Sequence, residues 1–280
     1  MPTIAEKRRV FRELHGSGCF VLPNPFDVGG ARWLEHLGFK ALATTSAGVA
    51  FALGLPDGAV SRDAMLAHIR ALVAATDLPV NADFGNAFAD DPEGVADNVT
   101  ACVATGVAGL SVEDATGDPT TPLYDLSQAV ERIKAARSAI DATGGDTMLV
   151  ARAECFLVGH PAPLKESVHR LEAYAEAGAD CLYAPGPRRR DDIDTIVRAV
   201  APKPVNVLVS GPLGLTAADI AALGVRPSAS AARWRAPPTG GFMRAARGLA
   251  EGRFDGFADA VPHTELDGFF RQTLKPTEIA

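Results

Sequence analysis

The chain has 280 residues, of which 47% are hydrophobic and 22% charged, and its formal net charge is −7. Because α/β barrels often reach this length as one domain, we predict a single domain over residues 1–280 with a C-terminal helical segment over about 238–280. The negative charge argues against nucleic acid or an anionic membrane as a partner. No apolar run reaches the roughly 18 residues that a membrane span needs.

Cysteine usage and the first residues both indicate a reducing cytoplasm. The four cysteines form no CxxC pair and have no metal-finger spacing. Residues 1–14 have a charged helical pattern, unlike a signal peptide. We therefore expect a cytoplasmic protein.

Eight short apolar runs predict buried strands, and the last of them is the weakest. They cover residues 19–23, 40–45, 79–83, 108–112, 148–152, 180–184, 204–209 and 226–231. Between them lie amphipathic stretches of helical period, such as 61–76 and 92–107, with Ser61 and Asp125 at N-cap positions. Apolar runs that alternate with helices are typical of parallel strands buried on both faces. We predict an α/β protein, specifically a (β/α)8 TIM-type barrel. The alternative is an open doubly wound sheet, but the sequence has no GxGxxG motif after the first predicted strand.

The active site of such a barrel lies at the C-terminal ends of its strands. Polar side chains at or just after these ends are Thr44, Thr45, Ser46, Asp83, Glu113, Asp114, Arg152, Glu154, Tyr183, Asn206 and Ser210, and the loop after strand 2 carries Asp57. Mg²⁺ prefers carboxylate oxygens, and an arginine binds a carboxylate or phosphate through two N–H groups. Together they would stabilise an enolate that develops on a 2-oxo acid.

Less specific interpretations remain open for single residues. Asp114 lies in the turn-forming stretch EDATG and could cap a helix, and Arg152 could be a structural partner of Glu154. The six histidines fall mostly on helices or loops, which argues against a zinc site. No lysine ends a strand, which argues against a Schiff-base aldolase. The convergence of acids from strands 3 and 4 with Arg152 favours a site.

Five stretches resemble the isocitrate lyase/phosphoenolpyruvate mutase superfamily, and within it the mutase-like subgroup of undefined substrate. They are residues 22–58, 79–99, 106–125, 149–157 and 177–186, within a likeness that runs from about residue 18 to residue 225. The resemblance implies a modified barrel that forms a homo-oligomer (a dimer or tetramer), with a C-terminal helix swapped between subunits. It also implies the making or breaking of a C–C or C–P bond of a small 2-oxo acid through a Mg²⁺-bound enolate.

The resemblance assigns roles by position. The metal-binding set that it implies is Asp83, Glu113 and Asp57, and the catalytic set is Arg152, Asp57 and Glu113. Arg152 matches an arginine that clamps substrate, and the segment Thr45, Ser46 and Ala47 matches one that binds the substrate carboxylate. We add Asn206, near the end of strand 7, to the substrate-binding set. The expected partner is thus a small carboxylate.

The chain also departs from the family pattern. Gly85 replaces a second acid, which should weaken Mg²⁺ binding, and Ala87 and Ala89 replace glycines. The loop over 114–125 lacks the catalytic cysteine of the lyases and the gating asparagine of the mutase. Cleavage of isocitrate or methylisocitrate through that cysteine, and rearrangement of phosphonopyruvate, are therefore not expected. No cysteine should be essential; Cys155 fits a small, partly buried hydrophobic residue.

Two function classes follow. The first is a lyase- or mutase-like enzyme, which we favour because Asp57, Asp83, Glu113 and Arg152 are all present. The alternative is a catalytically eroded barrel that binds a small carboxylate without turnover.

The C-terminal segment predicts self-association. Over residues 240–257, an apolar stripe of Phe242, Met243, Ala246 and Leu249 follows a Pro/Gly-rich break at 237–241. An exposed stripe of this kind is an association site, and the resemblance indicates docking on a neighbouring subunit. The alternative is an ordinary eighth helix that packs on its own barrel.

Overall fold

The computed structural model describes residues 2–209, 214–225, 229–231, 246–248, 250–251 and 261–273. The chain divides into two compact units, Met1–Ala232 and Arg233–Ala280. The first contains all eight named strands, and the second contains a helix at His263–Thr273. The single domain over 1–280 stays a prediction.

Eight strands form one parallel sheet in the first unit. They are β1 (Leu22–Pro23), β2 (Leu42–Ala43), β3 (Val80–Asp83), β4 (Gly109–Glu113), β5 (Met148–Arg152), β6 (Cys181–Tyr183), β7 (Val205–Leu208) and β8 (Ala229–Ala231). Their order is β1-β8-β7-β6-β5-β4-β3-β2. The two end strands, β1 and β2, lie close together, and Asn24 Nδ2 donates to the Ala43 carbonyl across the seam at 3.4 Å. The predicted parallel α/β barrel is confirmed.

Helices precede β1 and lie between successive strands. They are α1 (Ile4–Gly16), α2 (Val28–His36), α3 (Ser46–Ala52), α4 (Arg62–Ala75), α5 (Pro92–Val103), α6 (Leu126–Ala142), α7 (Pro163–Glu176), α8 (Arg190–Ala199) and α9 (Ala217–Ala222), with α10 (His263–Thr273) in the second unit. The first of them, α1, contributes Phe11 to an apolar cluster with residues of the strands. Ser61 caps α4 as predicted, accepting from Ala64 N at 3.4 Å. Asp125 occupies the N-cap position of α6, but its side chain makes no capping hydrogen bond there. Within the described ranges, no helix has both the length and the apolar character to cross a bilayer.

Alternation along the strands separates two apolar cores. On β5, Met148 and Val150 belong to a cluster with Phe11, whereas Leu149 and Ala151 belong to the cluster that packs under the helices. Successive strand residues point to opposite faces, so the Phe11 cluster fills the barrel interior. Residues of the same parity at the strand ends therefore point into the barrel mouth.

Most of the predicted C-terminal stripe lies outside the described residues. Of its four residues only Ala246 is described, and it is helical together with residues 247 and 248. Phe242, Met243 and Leu249 lie outside the described residues, as does Ser210. The swap of a C-terminal helix stays a prediction.

Candidate functional site

Four side chains at strand ends point into the barrel and meet at its mouth. Asp83 ends β3, Glu113 ends β4, Arg152 ends β5 and Tyr183 ends β6. Glu113 is the register partner of Arg152, and Arg152 that of Tyr183. The predicted convergence of acids from strands 3 and 4 on Arg152 is present in the structure.

Arg152 is the centre of this cluster. Its Nη1 lies 2.7 Å from Asp83 Oδ1, and its Nη2 lies 3.1 Å from Glu113 Oε2. Glu154 Oε1 lies 2.9 Å from both Nε and Nη2. The guanidinium also lies over the Tyr183 ring, 5.0 Å from its centroid. Arg152 therefore pairs with Glu154, as the structural interpretation expected, and also with the two acids of the mouth; its substrate-binding role stays a prediction.

A second, buried layer of polar side chains holds Glu154. Its backbone N–H donates to Asp114 Oδ1 at 2.8 Å. The other oxygen of Asp114 accepts from Arg170 Nη1 at 3.0 Å and from the Tyr174 hydroxyl at 2.6 Å. The helix-cap interpretation of Asp114 is wrong, because this carboxylate is 2% exposed and its partners lie on α7 and on the chain after β5.

The end of β2 contributes to the mouth through Ser46. Its backbone N–H donates to Asp83 Oδ2 at 2.9 Å, and its hydroxyl donates to Asp57 Oδ1 at 3.1 Å. Thr45, by contrast, caps the short helix α3, accepting from Gly48 N at 3.2 Å. Ala47 is fully buried in the first turn of that helix. Ser46 thus contacts both Asp83 and Asp57, while the hydroxyl of Thr45 is used in local structure.

Asn206 lies at the same level of the barrel as Arg152 but two strands away. It is the register partner of Tyr183, which is itself the partner of Arg152. The substrate-binding role of Asn206 stays a prediction.

The loop after β3 has an unusual backbone. Gly85, Ala87 and Phe88 have φ values of +55°, +58° and +55°, in the left-handed region that residues with a Cβ rarely adopt. Two buried side chains hold this loop, since Asn98 Nδ2 donates to the Ala87 carbonyl at 2.9 Å and Arg132 donates to the carbonyls of Asn86 and Ala89. The same arginine donates to the Glu113 carbonyl at 3.2 Å, so it couples this loop to the end of β4.

Burial and charge crowding perturb the acids of the cluster. Desolvation raises the pKa of Glu113 to about 8, and Arg152 only partly opposes this while Glu154 and Asp83 add to it. Desolvation likewise raises the pKa of Glu154 above its ordinary value. The surrounding carboxylates raise the pKa of Arg152, against the effect of burial, so its charge is permanent. The cluster therefore combines a fixed cation with a carboxyl whose protonated form is favoured by burial and by its acidic neighbours.

The predicted metal set does not fit a metal ion in this arrangement. Across the described residues, no group of three or more His, Cys, Asp or Glu side chains is placed to hold one. Both oxygens of Asp83 and one of Glu113 contact N–H donors of Arg152 or Ser46. Mg²⁺ requires oxygens in near-octahedral geometry. The metal roles of Asp57, Asp83 and Glu113 stay predictions.

Cys155 follows the end of β5 but has the environment of a packing residue. It is fully buried, and desolvation raises the pKa of its thiol to about 11. A thiol with that pKa is protonated at neutral pH and is a poor nucleophile.

Comparison with known proteins identifies the family. The family model for phosphoenolpyruvate phosphomutase matches residues 11–236. The chain belongs to the phosphoenolpyruvate mutase/isocitrate lyase superfamily. The membership predicted from the sequence motifs is confirmed.

Relatives from this superfamily match nearly the whole chain. An uncharacterized protein of Mycobacterium tuberculosis is 32% identical over 261 residues, which are 91% of this chain and 94% of the relative. The crystal structure of a candidate lyase/mutase from Burkholderia cenocepacia J2315 has a TM-score of 0.90 and 44% identity, covering 95% of this chain and 96% of that one. The structure of oxaloacetate acetylhydrolase with its product oxalate has a TM-score of 0.84 and 25% identity, covering 95% and 94%. The superfamily is one of lyases and mutases that share this barrel.

Proposed function

We propose that this protein is an enzyme that breaks a C–C or C–P bond next to the 2-oxo carbon of a small carboxylate, through an enolate. The observation that carries the proposal is the position of Arg152, a guanidinium at the barrel mouth with Asp83 and Glu113 beside it. Family membership and the likeness to an oxaloacetate acetylhydrolase support the same reaction class.

In this proposal Arg152 binds the anionic end of the substrate and the developing enolate oxygen. Glu154 is 4% exposed and holds the inner side of the guanidinium, whereas Asp83 and Glu113 are partly exposed. A substrate carboxylate can therefore compete with those two acids for N–H groups on the open side. A guanidinium that binds two oxygens at once also orients the 2-oxo acid.

The proton that completes the reaction comes from Glu113. When the bond from C3 to the departing group breaks, its electron pair forms the enolate; a C4 carboxylate leaves as carbon dioxide, and a phosphoryl group is captured by water and leaves as phosphate. The carboxyl of Glu113, which is protonated below about pH 8, then donates its proton to C3, and solvent restores it. General acid catalysis of this kind is most effective when the pKa lies near the working pH. No step is assigned to Mg²⁺, because the acids present do not fit it.

The test is product analysis with two substrates that differ in the bond at C3. Purified protein is incubated with oxaloacetate and with phosphonopyruvate, and products are followed by NMR against a protein-free control. We expect turnover of oxaloacetate to pyruvate and carbon dioxide. Arg152→Lys keeps the charge but loses the planar fork, so its affinity for oxalate should fall roughly tenfold to a hundredfold. Arg198→Lys, whose side chain is 79% exposed on α8, is the matched control.

The alternative, a barrel that binds a carboxylate without turnover, is favoured by Gly85 in place of the second family acid. Oxalate binding that depends on Arg152, with no product from either substrate, would select this alternative. Oxalate binding that is unchanged in Arg152→Lys would contradict both functions. Homo-oligomerisation and a cytoplasmic location are also part of the proposal.

A further inference from the structure

The acids at the barrel mouth already surround a positive charge, which is the guanidinium of Arg152. Asp83 Oδ1 lies 2.7 Å from Arg152 Nη1, and Asp83 Oδ2 accepts from the Ser46 N–H at 2.9 Å. Glu113 Oε2 lies 3.1 Å from Arg152 Nη2. Each of these three oxygens has an N–H donor beside it, so a metal ion could bind them only after the donors moved.

A buried network holds Arg152 in this position. Glu154 holds Nε and Nη2, and the Glu154 backbone is held by Asp114, which Arg170 and Tyr174 hold in turn. The Arg152 side chain is 13% exposed. A permanent positive charge held this close to the carboxylates repels a dication strongly at the low effective dielectric of a partly buried site.

Position 85 is where the superfamily pattern has its second acid and where this chain has none. Gly85 accepts from Glu113 N at 2.9 Å through its carbonyl, so it lies beside the end of β4. A Cβ built on Gly85 meets no atom within 4 Å. Its φ of +55° is one that aspartate and asparagine tolerate better than most residues. The missing carboxylate would therefore fit in space and with modest backbone strain.

We propose that Arg152 takes the place of a divalent cation in this chain, so that a guanidinium supplies the positive charge of the barrel mouth and the site does not bind Mg²⁺. That this charge acts on a substrate rests on the proposed function. That the charge is a guanidinium and not a metal ion rests on the geometry alone. A carboxylate restored at position 85 would add negative charge beyond what Arg152 balances, so a metal ion could then bind beside the guanidinium.

The test is metal binding to the full chain, measured without substrate. Mg²⁺ and Mn²⁺ are titrated by calorimetry into the wild type, Gly85→Asp and Gly85→Asn after removal of metal by a chelator. We expect no saturable binding by the wild type or Gly85→Asn, and saturable one-to-one binding by Gly85→Asp, tighter by at least about tenfold because ligand charge sets affinity. Gly85→Asn is the matched control, since it makes the same backbone demand without the charge. Circular dichroism checks that each variant is folded.

Saturable Mg²⁺ binding by the wild type that Asp83→Asn abolishes would overturn the proposal. Failure of folded Gly85→Asp to bind either metal would also overturn it, because the missing carboxylate would then not be the reason. If the position-85 variants do not fold, Arg152→Gln is titrated instead; it frees the acids of the mouth and should gain Mg²⁺ binding, and a lack of gain counts against the proposal. A failure of the proposed function would appear separately, as absent product in the NMR assay, whatever the calorimetry shows.

Discussion

Replacing Asp114 by asparagine should lower the free energy of unfolding by about 3 kcal/mol. Asp114 is 2% exposed and Arg170 is 6% exposed, and removing one partner of a buried ion pair costs about 3–5 kcal/mol. The lower end applies because Arg170 keeps Glu166 Oε1 at 2.8 Å and the Tyr124 carbonyl at 2.9 Å. In a barrel of this size, that loss should lower Tm by roughly 6–12 °C.

Two further variants separate the ion pair from the rest of the network. Tyr174→Phe removes only the hydroxyl that donates to Asp114 at 2.6 Å, so it should cost about 1.5 kcal/mol. Because the two residues share that bond, Tyr174→Phe should cost less in the Asp114→Asn background. Glu166→Gln is the control: its side chain is 25% exposed, and a pair of that kind contributes below about 1 kcal/mol.

The assay is urea unfolding followed by circular dichroism at pH 7, for the four single and double variants and the wild type. If the free energy of unfolding of Asp114→Asn lies within about 1 kcal/mol of the wild-type value, the reasoning is refuted, because the buried Arg170 would then have lost its main partner at little cost. Additive effects of Asp114→Asn and Tyr174→Phe would refute the claim that the two side chains act together.

The other predictions concern the acids of the site, Cys155 and the assembly of the chain. The pKa of Glu113 is raised from 4.5 to about 8, so the folded state binds more protons than the unfolded state between these pH values. The contribution of this group to the free energy of unfolding should therefore fall as pH rises from about 4.5 to about 8. In Glu113→Gln, the free energy of unfolding should depend less on pH over this range than in the wild type. Turnover should fall over the upper part of the same range, as Glu113 loses its proton. Cys155→Ala should keep turnover, because the thiol is buried and protonated; a folded variant without turnover would contradict this. The intact chain should sediment as an oligomer at micromolar concentration, and truncation before residue 237 should give monomers or insoluble protein; an intact chain that sediments as a monomer would contradict it.

The barrel could be predicted from sequence because its signal is local and repeated. Each strand is a short apolar run, and each helix between strands has its own period, so the eight units can be recognised one by one. Strand parity then determines which end residues point inward. Met148 and Val150 face the interior core, so Arg152, two residues further along, points into the mouth, as does Glu113 on the neighbouring strand.

The buried support of the site could not be predicted in the same way. Arg170 and Tyr174 lie on α7, 56 and 60 residues after the Asp114 that they hold, and along the helix they have the spacing of ordinary polar and core positions. Arg132 similarly resembles a surface arginine in sequence, yet it is 1% exposed and binds three backbone carbonyls. Such contacts depend on the packing of helices against the barrel, and a single sequence contains no local pattern that reports it.

Charge balance connects the fold of the site to its chemistry. Asp83, Glu113 and Glu154 surround one guanidinium, so fully ionised acids would leave an excess of negative charge in a largely buried place. Burying unpaired charge is costly. Burial and the neighbouring carboxylates raise the pKa of both Glu113 and Glu154, which is the direction that lets protons offset the excess. A protonated acid at the barrel mouth can donate its proton to a carbanion, whereas the same acid bound to a dication could not. The loss of a carboxylate at position 85 and the retention of Arg152 thus favour proton transfer as the task of Glu113.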